Sequence, residues 1–355
     1  MHVRRPFFKG RFFIRKGWVN GMLKILRQKK MIALAIGAVL AVGSFAGCGS
    51  EKKEAGADNS KVYRIGVLQL VQHGALDDSN KGFVDGLASK GYKDGANIKI
   101  DQQNAQGDQS NLKTISQRFV NNKVDLIYTI ATPAAQIAAN ETKTIPIVGA
   151  AITDYKAAKL VQSNEKPGGN VTGTTDYTPP GRQIDLALKL VPHAKAVGAL
   201  YTSSEENSQI QVKAMKEYAA EKGLTVVEAT VTNVNDIQQA VQSLVGKVDF
   251  IYCPTDNTIA SAMSNIVKIA VPAKLPVFIG DEAPIKTGGA TAGISVNFYK
   301  LGFQAGEMAA DILSGKLKPA DMPIGLQKEA KVIINKEAAK AIGLVIPEEL
   351  RKAVE

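Results

Sequence analysis

The sequence predicts an α/β fold of two similar lobes, each a parallel sheet covered by helices, joined by a hinge of three chain segments. Three observations predict it. From Tyr63 onward, short apolar runs alternate with segments of helical period, the pattern of βαβ units. Strand-like strings of the first half recur in the second at nearly constant offset. Three elements near the C-terminus have no counterpart in that repeat. They suit a chain that crosses back to the first lobe and then returns.

The elements follow in order. YRIGVLQL, from Tyr63, reads as a strand, and Asp78–Lys90 as a helix stopped by Gly91. NIKIDQQNA is a strand, and Gln109–Asn121 is a helix with Leu112, Ile115, Phe119 and Val120 on one face. VDLIYTIA is a strand, Pro133–Asn140 begins a helix, and IPIVGAA is a further strand. Strands that alternate with helices in this way pair in parallel, with helices on both faces.

The repeat is read from four matches. Val124–Tyr128 (VDLIY) recurs as Val248–Tyr252 (VDFIY), an offset of 124. Ile145-Pro146-Ile147 recurs as Leu275-Pro276-Val277, offset 130. Ile65–Leu68 recurs as Val197–Leu200, and Lys90-Gly91 as Lys222-Gly223, both at 132. Such a period means duplicated domains rather than a solenoid. Between the halves lies DYTPPG, Asp176–Gly181, whose prolines suit a crossover or hinge. After the second half come a short strand, GISVNF, an amphipathic helix at Leu301–Leu313 and a last strand at Val332–Asn335.

The N-terminal segment sets the address. Lys24–Cys48 joins a basic flank to an apolar run of 15 residues, Met31–Phe45, then Gly47-Cys48. That run is short for a membrane span, which needs roughly 20 residues, and suits a secretory signal peptide. Phe45-Ala46-Gly47-Cys48 resembles the bacterial lipobox, with Phe45 in place of its usual leucine, so Cys48 is the expected lipidation site. Two acyl chains there would anchor the protein stably. Residues 1–47 read as the signal peptide, with 1–21 a long basic extension or a misassigned start. Residues 48–60 read as a polar, flexible tether.

Composition then removes several function classes. The formal charge is +11, but residues 1–47 hold ten Lys or Arg and no acid, which leaves 34 bases against 33 acids. A basic groove for nucleic acid is not supported. With Cys48 lipidated, Cys253 is a lone cysteine after the apolar run Val248–Tyr252, so it reads as a buried inert thiol. No Cys/His cluster has metal-ligand spacing, and no cofactor is implied. His73 with Asp77 and Asp78 resembles a catalytic pairing on paper. No Ser or Cys nucleophile motif, HExxH or Walker sequence accompanies it, so the chain does not read as an enzyme.

Ligands of open parallel sheets bind beyond the carboxyl ends of the strands. That rule selects Gln69, Thr132 and Ala150-Ala151 in the first lobe. In the second it selects Ser203, Ser204 and Asn207, then Thr255-Asp256-Asn257, then Asp281 and Glu282. Thr132-Pro133-Ala134-Ala135 reads as a helix start with Thr132 as N-cap, and the N–H groups of Ala134 and Ala135 could meet a carboxylate. An ordinary helix start is the alternative. Asp256 could pair a ligand ammonium or merely cap the following helix. Glu282 or Asp281 could pair it instead.

IGVLQLVQHGALD, NAQGDQSNL, ATPAAQ, EKPGGNVTGT and PTDNT together resemble the substrate-binding lipoproteins of ATP-binding-cassette importers. The most similar group is the family associated with tryptophan or tyrosine uptake. The resemblance spans Tyr63–Ala338. It implies the type I periplasmic-binding-protein fold, two Rossmann-like lobes that close on a solute at a three-segment hinge and dock on a membrane permease. It further implies a lipid-anchored, extracytoplasmic monomer. The lobes would comprise 61–177 plus about 297–324, and 178–296 plus about 325–355. Projected onto the matching strings, the strand-end argument gives as ligand contacts Gln69, Thr132, Ala134, Ala135, Ala151, Asp176, Tyr177, Ser203, Asn207, Asp256, Asn257 and Glu282. An aromatic amino acid is the expected ligand, with Tyr177 beside its ring. A branched-chain amino acid, a nucleoside-like solute or a sensor role are the alternatives.

Overall fold

The computed structural model describes residues 61–327 and 329–355. The signal segment, the tether and Cys48 lie outside the described residues. The first lobe begins β1 (Tyr63–Gln69), α1 (Gly74–Ser89), β2 (Ile98–Asn104), α2 (Gln109–Asn121), β3 (Leu126–Ile130), α3 (Thr132–Glu141), β4 (Ile147–Ile152) and β5 (Val171–Thr175). The second runs α4 (Pro180–Leu190), β6 (Ala196–Thr202), α5 (Glu206–Glu221), β7 (Thr225–Val231), α6 (Ile237–Leu244) and β8 (Phe250–Cys253). It continues with α7 (Asn257–Ser261), α8 (Met263–Ala270), β9 (Val277–Ile279), α9 (Glu282–Lys286) and β10 (Ala292–Ser295). Last come α10 (Phe298–Leu313), β11 (Gly325–Leu326), β12 (Lys331–Ile334) and α11 (Lys336–Ala341).

Two six-stranded sheets result. Their orders are β11-β5-β4-β3-β1-β2 and β12-β10-β9-β8-β6-β7. All strands but β11 and β12, five in each sheet, correspond one to one in chain order, so the internal repeat is a repeat of topology. The pairings within each five are parallel. β3, β4 and β8 are buried along their whole length, as strands covered on both faces must be. The lobes differ at the sixth strand: β11 joins β5 in parallel, while β12 joins β10 antiparallel.

The chain crosses between lobes three times: after Thr175, after Ser295 and between Leu326 and Lys331. The last crossing corrects the boundary expected near residue 325, because β11 still belongs to the first sheet. β5, like β7 and β11, is a strand absent from the sequence reading. Its string VTGTT carries no apolar run, yet all five residues are buried. The threonine hydroxyls make that possible by donating to backbone carbonyls: Thr172 to Met322 at 2.7 Å, Thr174 to Leu301 at 3.2 Å, Thr175 to Thr153 at 2.7 Å.

Each lobe has its own core. In the first, Tyr128 stacks on Phe83 with ring centroids 3.7 Å apart, and its hydroxyl shares a hydrogen bond with Ser79 Oγ at 2.8 Å. In the second, Phe250 meets Phe278 edge to face. Cys253 is fully buried, and burial pushes its thiol well up. Among the described residues no helix is long and apolar enough to cross a membrane.

Candidate functional site

The carboxyl ends of both sheets face each other across the hinge, and the loops that leave them touch. Gln136 on α3 donates from Nε2 to Glu206 Oε2 on α5 at 2.5 Å. Gln211 on α5 donates to Thr153 Oγ1, after β4, at 3.3 Å. His73, in the loop from β1 to α1, reaches Asn257 Oδ1 of the second lobe at 3.4 Å. The lobes are thus closed on a small cavity between them. It is narrow, with room for roughly one water molecule, so a larger solute enters only when the lobes part.

Three carboxylates line this cavity, Asp176, Asp256 and Asp281, and among the described residues no lysine or arginine does. They differ in what surrounds them. Asp256 is the N-cap of α7. Its Oδ2 accepts from Thr202 N at 2.6 Å and Ser208 Oγ at 2.7 Å. Its Oδ1 accepts from Thr202 Oγ1 at 2.8 Å and Ile259 N at 2.9 Å. Burial, reinforced by Glu205, nevertheless pushes its carboxyl up to about 7. Glu205, also buried, is similarly engaged by Asn257, Thr258 and Asn207.

Asp281 and Asp176 are not saturated. Asp281 caps α9 through one bond, Ala283 N to Oδ1 at 3.0 Å, and its Oδ2 faces His73 Nδ1 at 3.6 Å. Asp176, on the first crossing, has an Oδ1 with no hydrogen-bond partner. Burial pushes Asp281 up to about 7, with Asp176 adding to the effect, and Asp176 up to about 6. Both are carboxylates removed from water without a compensating cation. Among the described residues no group of three or more His, Cys, Asp or Glu is placed to hold a metal ion.

The remaining expected contacts divide. Ala151, Asn207 and Asn257 line the cavity. Ala151 takes the left-handed φ of 56°, a conformation that concentrates where function holds the backbone. Asn207 fixes itself by donating to Thr255 O at 2.9 Å and leaves its Oδ1 unpartnered. Thr132 is buried with an unpartnered hydroxyl but does not line the cavity, and it is the first residue of α3 and not its N-cap. Ala131 holds the N-cap position, with φ 90°. Ala134 and Ala135 are fully buried behind it. The Ala135 N–H already bonds to Ala131 O at 3.2 Å, so it is not offered to a ligand.

Four further expected contacts stand off the cavity. Gln69 is buried but donates to Val71 O and Asp77 Oδ1, at 2.9 and 2.7 Å. Tyr177 lies 47% exposed on the crossing. Ser203 is exposed and donates to Val231 O. Glu282 points the other way, pairs with Lys286 at 2.5 Å, and borders a separate concavity on the hinge flank. Conversely, His73, Leu76, Thr153 and Phe298 line the cavity without having been expected there. The signal for His73 and Leu76 was present: both stand in the loop and first turn that follow a strand end.

The comparisons with known proteins agree with this geometry. The family model described as ABC transporter substrate binding protein matches residues 64–355. A tyrosine-binding protein of Clostridioides difficile strain R20291 is 43% identical over 328 residues, covering 90% of this chain and 94% of that one. A Streptococcus pneumoniae ABC domain solved in complex with L-Trp is 43% identical, covers 83% of this chain and 100% of its own, and superposes with a TM-score of 0.80. A Clostridium difficile substrate-binding protein with adhesive properties, solved in its ligand-free, open form, is 44% identical over 83% of this chain and 98% of its own. Its TM-score is only 0.63. At equal identity the ligand-bound fold fits better, in keeping with lobes that touch.

Proposed function

The chain belongs to the ABC transporter substrate-binding protein family, and from that premise we propose that its cleft captures an aromatic amino acid, tryptophan or tyrosine, by hinge closure. The observation that carries this reading is the pair of buried carboxylates, Asp176 and Asp281, that meet in one cavity without enough donors. An α-ammonium supplies the missing N–H donors and the missing positive charge. The ligand carboxylate takes the first-lobe side, toward the start of α3, where the buried Thr132 hydroxyl, off the lining of the closed cavity, has no partner. The ring packs against Leu76 and Phe298, the cavity's large apolar side chains. The similarity to one protein that binds tyrosine and another solved with L-Trp supports the same ligand class.

Closure follows from contacts that exist only when the lobes meet, and the ligand favours it by its differential affinity for the closed state. The protein delivers its solute to a membrane permease. Residues 48–60 tether it, with a diacylglycerol on Cys48 holding it as a monomer to the outer surface of the membrane.

The test uses composition. The only tryptophan is Trp18, so the chain from Cys48 onward contains none. Indole fluorescence therefore comes from the tryptophan ligand alone, and the change in its emission on binding separates bound from free. Titration with tryptophan, tyrosine, leucine and a nucleoside, checked by calorimetry, is expected to saturate with an aromatic amino acid. Saturation by leucine or the nucleoside alone overturns the reading.

A further inference from the structure

We propose that His73 joins ligand recognition to lobe closure: one ring nitrogen holds the opposite lobe while the other accepts a hydrogen bond from the ligand ammonium. This rests on the ligand reading above. His73 belongs to the first lobe, with its side chain 8% exposed. Its Nε2 meets Asn257 Oδ1 of the second lobe at 3.4 Å. The Asn257 amide is oriented by Glu205, whose Oε2 accepts from Asn257 Nδ2 at 2.6 Å. The atom facing His73 is therefore the amide oxygen, an acceptor, and Nε2 must carry the hydrogen. Close approach of the loop is permitted by Gly74, where a Cβ would stand 2.7 Å from that of Ala283 in the other lobe.

With the hydrogen on Nε2, Nδ1 of the neutral ring is an acceptor. It has no donor, and it faces another acceptor, Asp281 Oδ2, at 3.6 Å. Asp176 Oδ1 opens on the same cavity without a donor. Three acceptors around one cavity match the three N–H bonds of a primary ammonium. Asp77 on α1, Glu205 before α5, and Asp281 and Asp176 all bring negative charge toward the ring. Asp78 and Glu282 add theirs around Asp281. Against them, burial disfavours the imidazolium and lowers the tendency of His73 to protonate. A proton on Nδ1 would pair with Asp281 and take the ligand's place. His73 therefore selects a ligand that brings its own N–H donors, and binding that ligand secures the Asn257 contact that closes the lobes.

The experiment is nitrogen-15 spectroscopy of the histidine rings in the chain from Cys48 onward, where His73 and His193 are the only histidines. At about pH 7, near the ordinary imidazole range, the His73 ring is expected as the neutral Nε2–H tautomer. Added tryptophan should shift its Nδ1 resonance. A hydrogen on Nδ1, or an imidazolium in the complex, overturns the proposal. In parallel, His73→Lys places an ammonium beside Asp281 and should weaken tryptophan binding by about 100-fold. His73→Ala should weaken it by at least about 10-fold, and His73→Gln, which keeps a donor and an acceptor, by less than His73→Ala. Unchanged affinity in His73→Ala, or no rescue by glutamine, overturns the proposal. If the wild-type chain binds neither aromatic amino acid, the ligand reading falls instead, and the ligand-free spectrum still decides the contact with Asn257.

Discussion

Asp256 holds Thr202 twice, accepting its backbone N–H at 2.6 Å and its hydroxyl at 2.8 Å. The pair ties the loop before α7 to the end of β6, and Ser208 Oγ and Ile259 N complete the shell. A carboxylate so fully engaged has little left to offer a ligand. Its role is to build the second lobe's side of the cleft. Asp256→Ala leaves four buried donors without an acceptor. It is expected to cost at least about 2 kcal/mol of stability, read from the midpoint of urea unfolding. A variant as stable as the wild type refutes this assignment.

Asp176 and Asp281 should respond in the opposite way. Asp281→Asn keeps the cap on α9, since asparagine caps as well as aspartate, and removes a buried charge. Asp176→Asn likewise removes a charge that no donor satisfies on Oδ1. Each variant is expected to match or exceed wild-type stability and to bind an aromatic amino acid at least about 10-fold more weakly, about 1.4 kcal/mol. Calorimetric titration of both variants checks the prediction. Full affinity in either one removes that carboxylate from the ammonium site.

The contrast between these acids explains what the sequence could not disclose. Asp256 and Asp281 both follow a strand, both precede a helix and both cap it. What separates them is the number of donors brought by other loops, and Thr202 and Ser208 lie far from Asp256 in sequence. Strand ends were legible because β1, β3, β4, β6 and β8 are apolar runs, and their recurrence exposed the duplicated lobe. β5 was not, because its burial depends on threonine hydroxyls finding carbonyls on distant segments. Thr132 was expected beside the cleft, but the turn at Ala131 that orients it is set by tertiary packing. His73 was visible as a residue type, and without a nucleophile beside it the sequence offered no role. Its meaning comes from Asn257 and Asp281, which only the fold brings near.

The raised carboxyls of Asp176, Asp256 and Asp281 give the closed, ligand-free protein a definite pH dependence. Their folded values, about 6, about 7 and about 7, lie above the usual aspartate range near 4. The closed form therefore holds protons that the unfolded chain has released. Stability then falls as pH rises from about 4 to about 7. An ammonium between Asp176 and Asp281 favours their ionised forms and displaces those protons. Affinity for an aromatic amino acid is thus expected to rise from about pH 5 to about pH 8. The ligand-induced increase in melting temperature should grow over the same range. Calorimetry in buffers of different ionisation enthalpy reads the released protons directly, and an affinity independent of pH contradicts the assignment.

α10 carries the chain back into the first lobe, and its seat on α1 sets the geometry of the second crossing. Gly302 makes that seat possible, since a Cβ added there would stand 1.9 Å from Ser79 O. Ser79 is fully buried on α1, so the conflict is with fixed backbone and not with a movable side chain. Relief requires the two helices to separate, which loosens the packing of Leu301 and Ala305 beneath them. Gly302→Ala is expected to cost about 1–3 kcal/mol, the usual penalty of overpacking, despite alanine's better helix propensity. Gly169→Ala is the matched control. Nothing lies within 4 Å of its added Cβ, and its stability should change by less than about 0.5 kcal/mol. Equal melting temperatures for the two variants would mean that α10 is free to shift on α1, and that the hinge is not held by this contact.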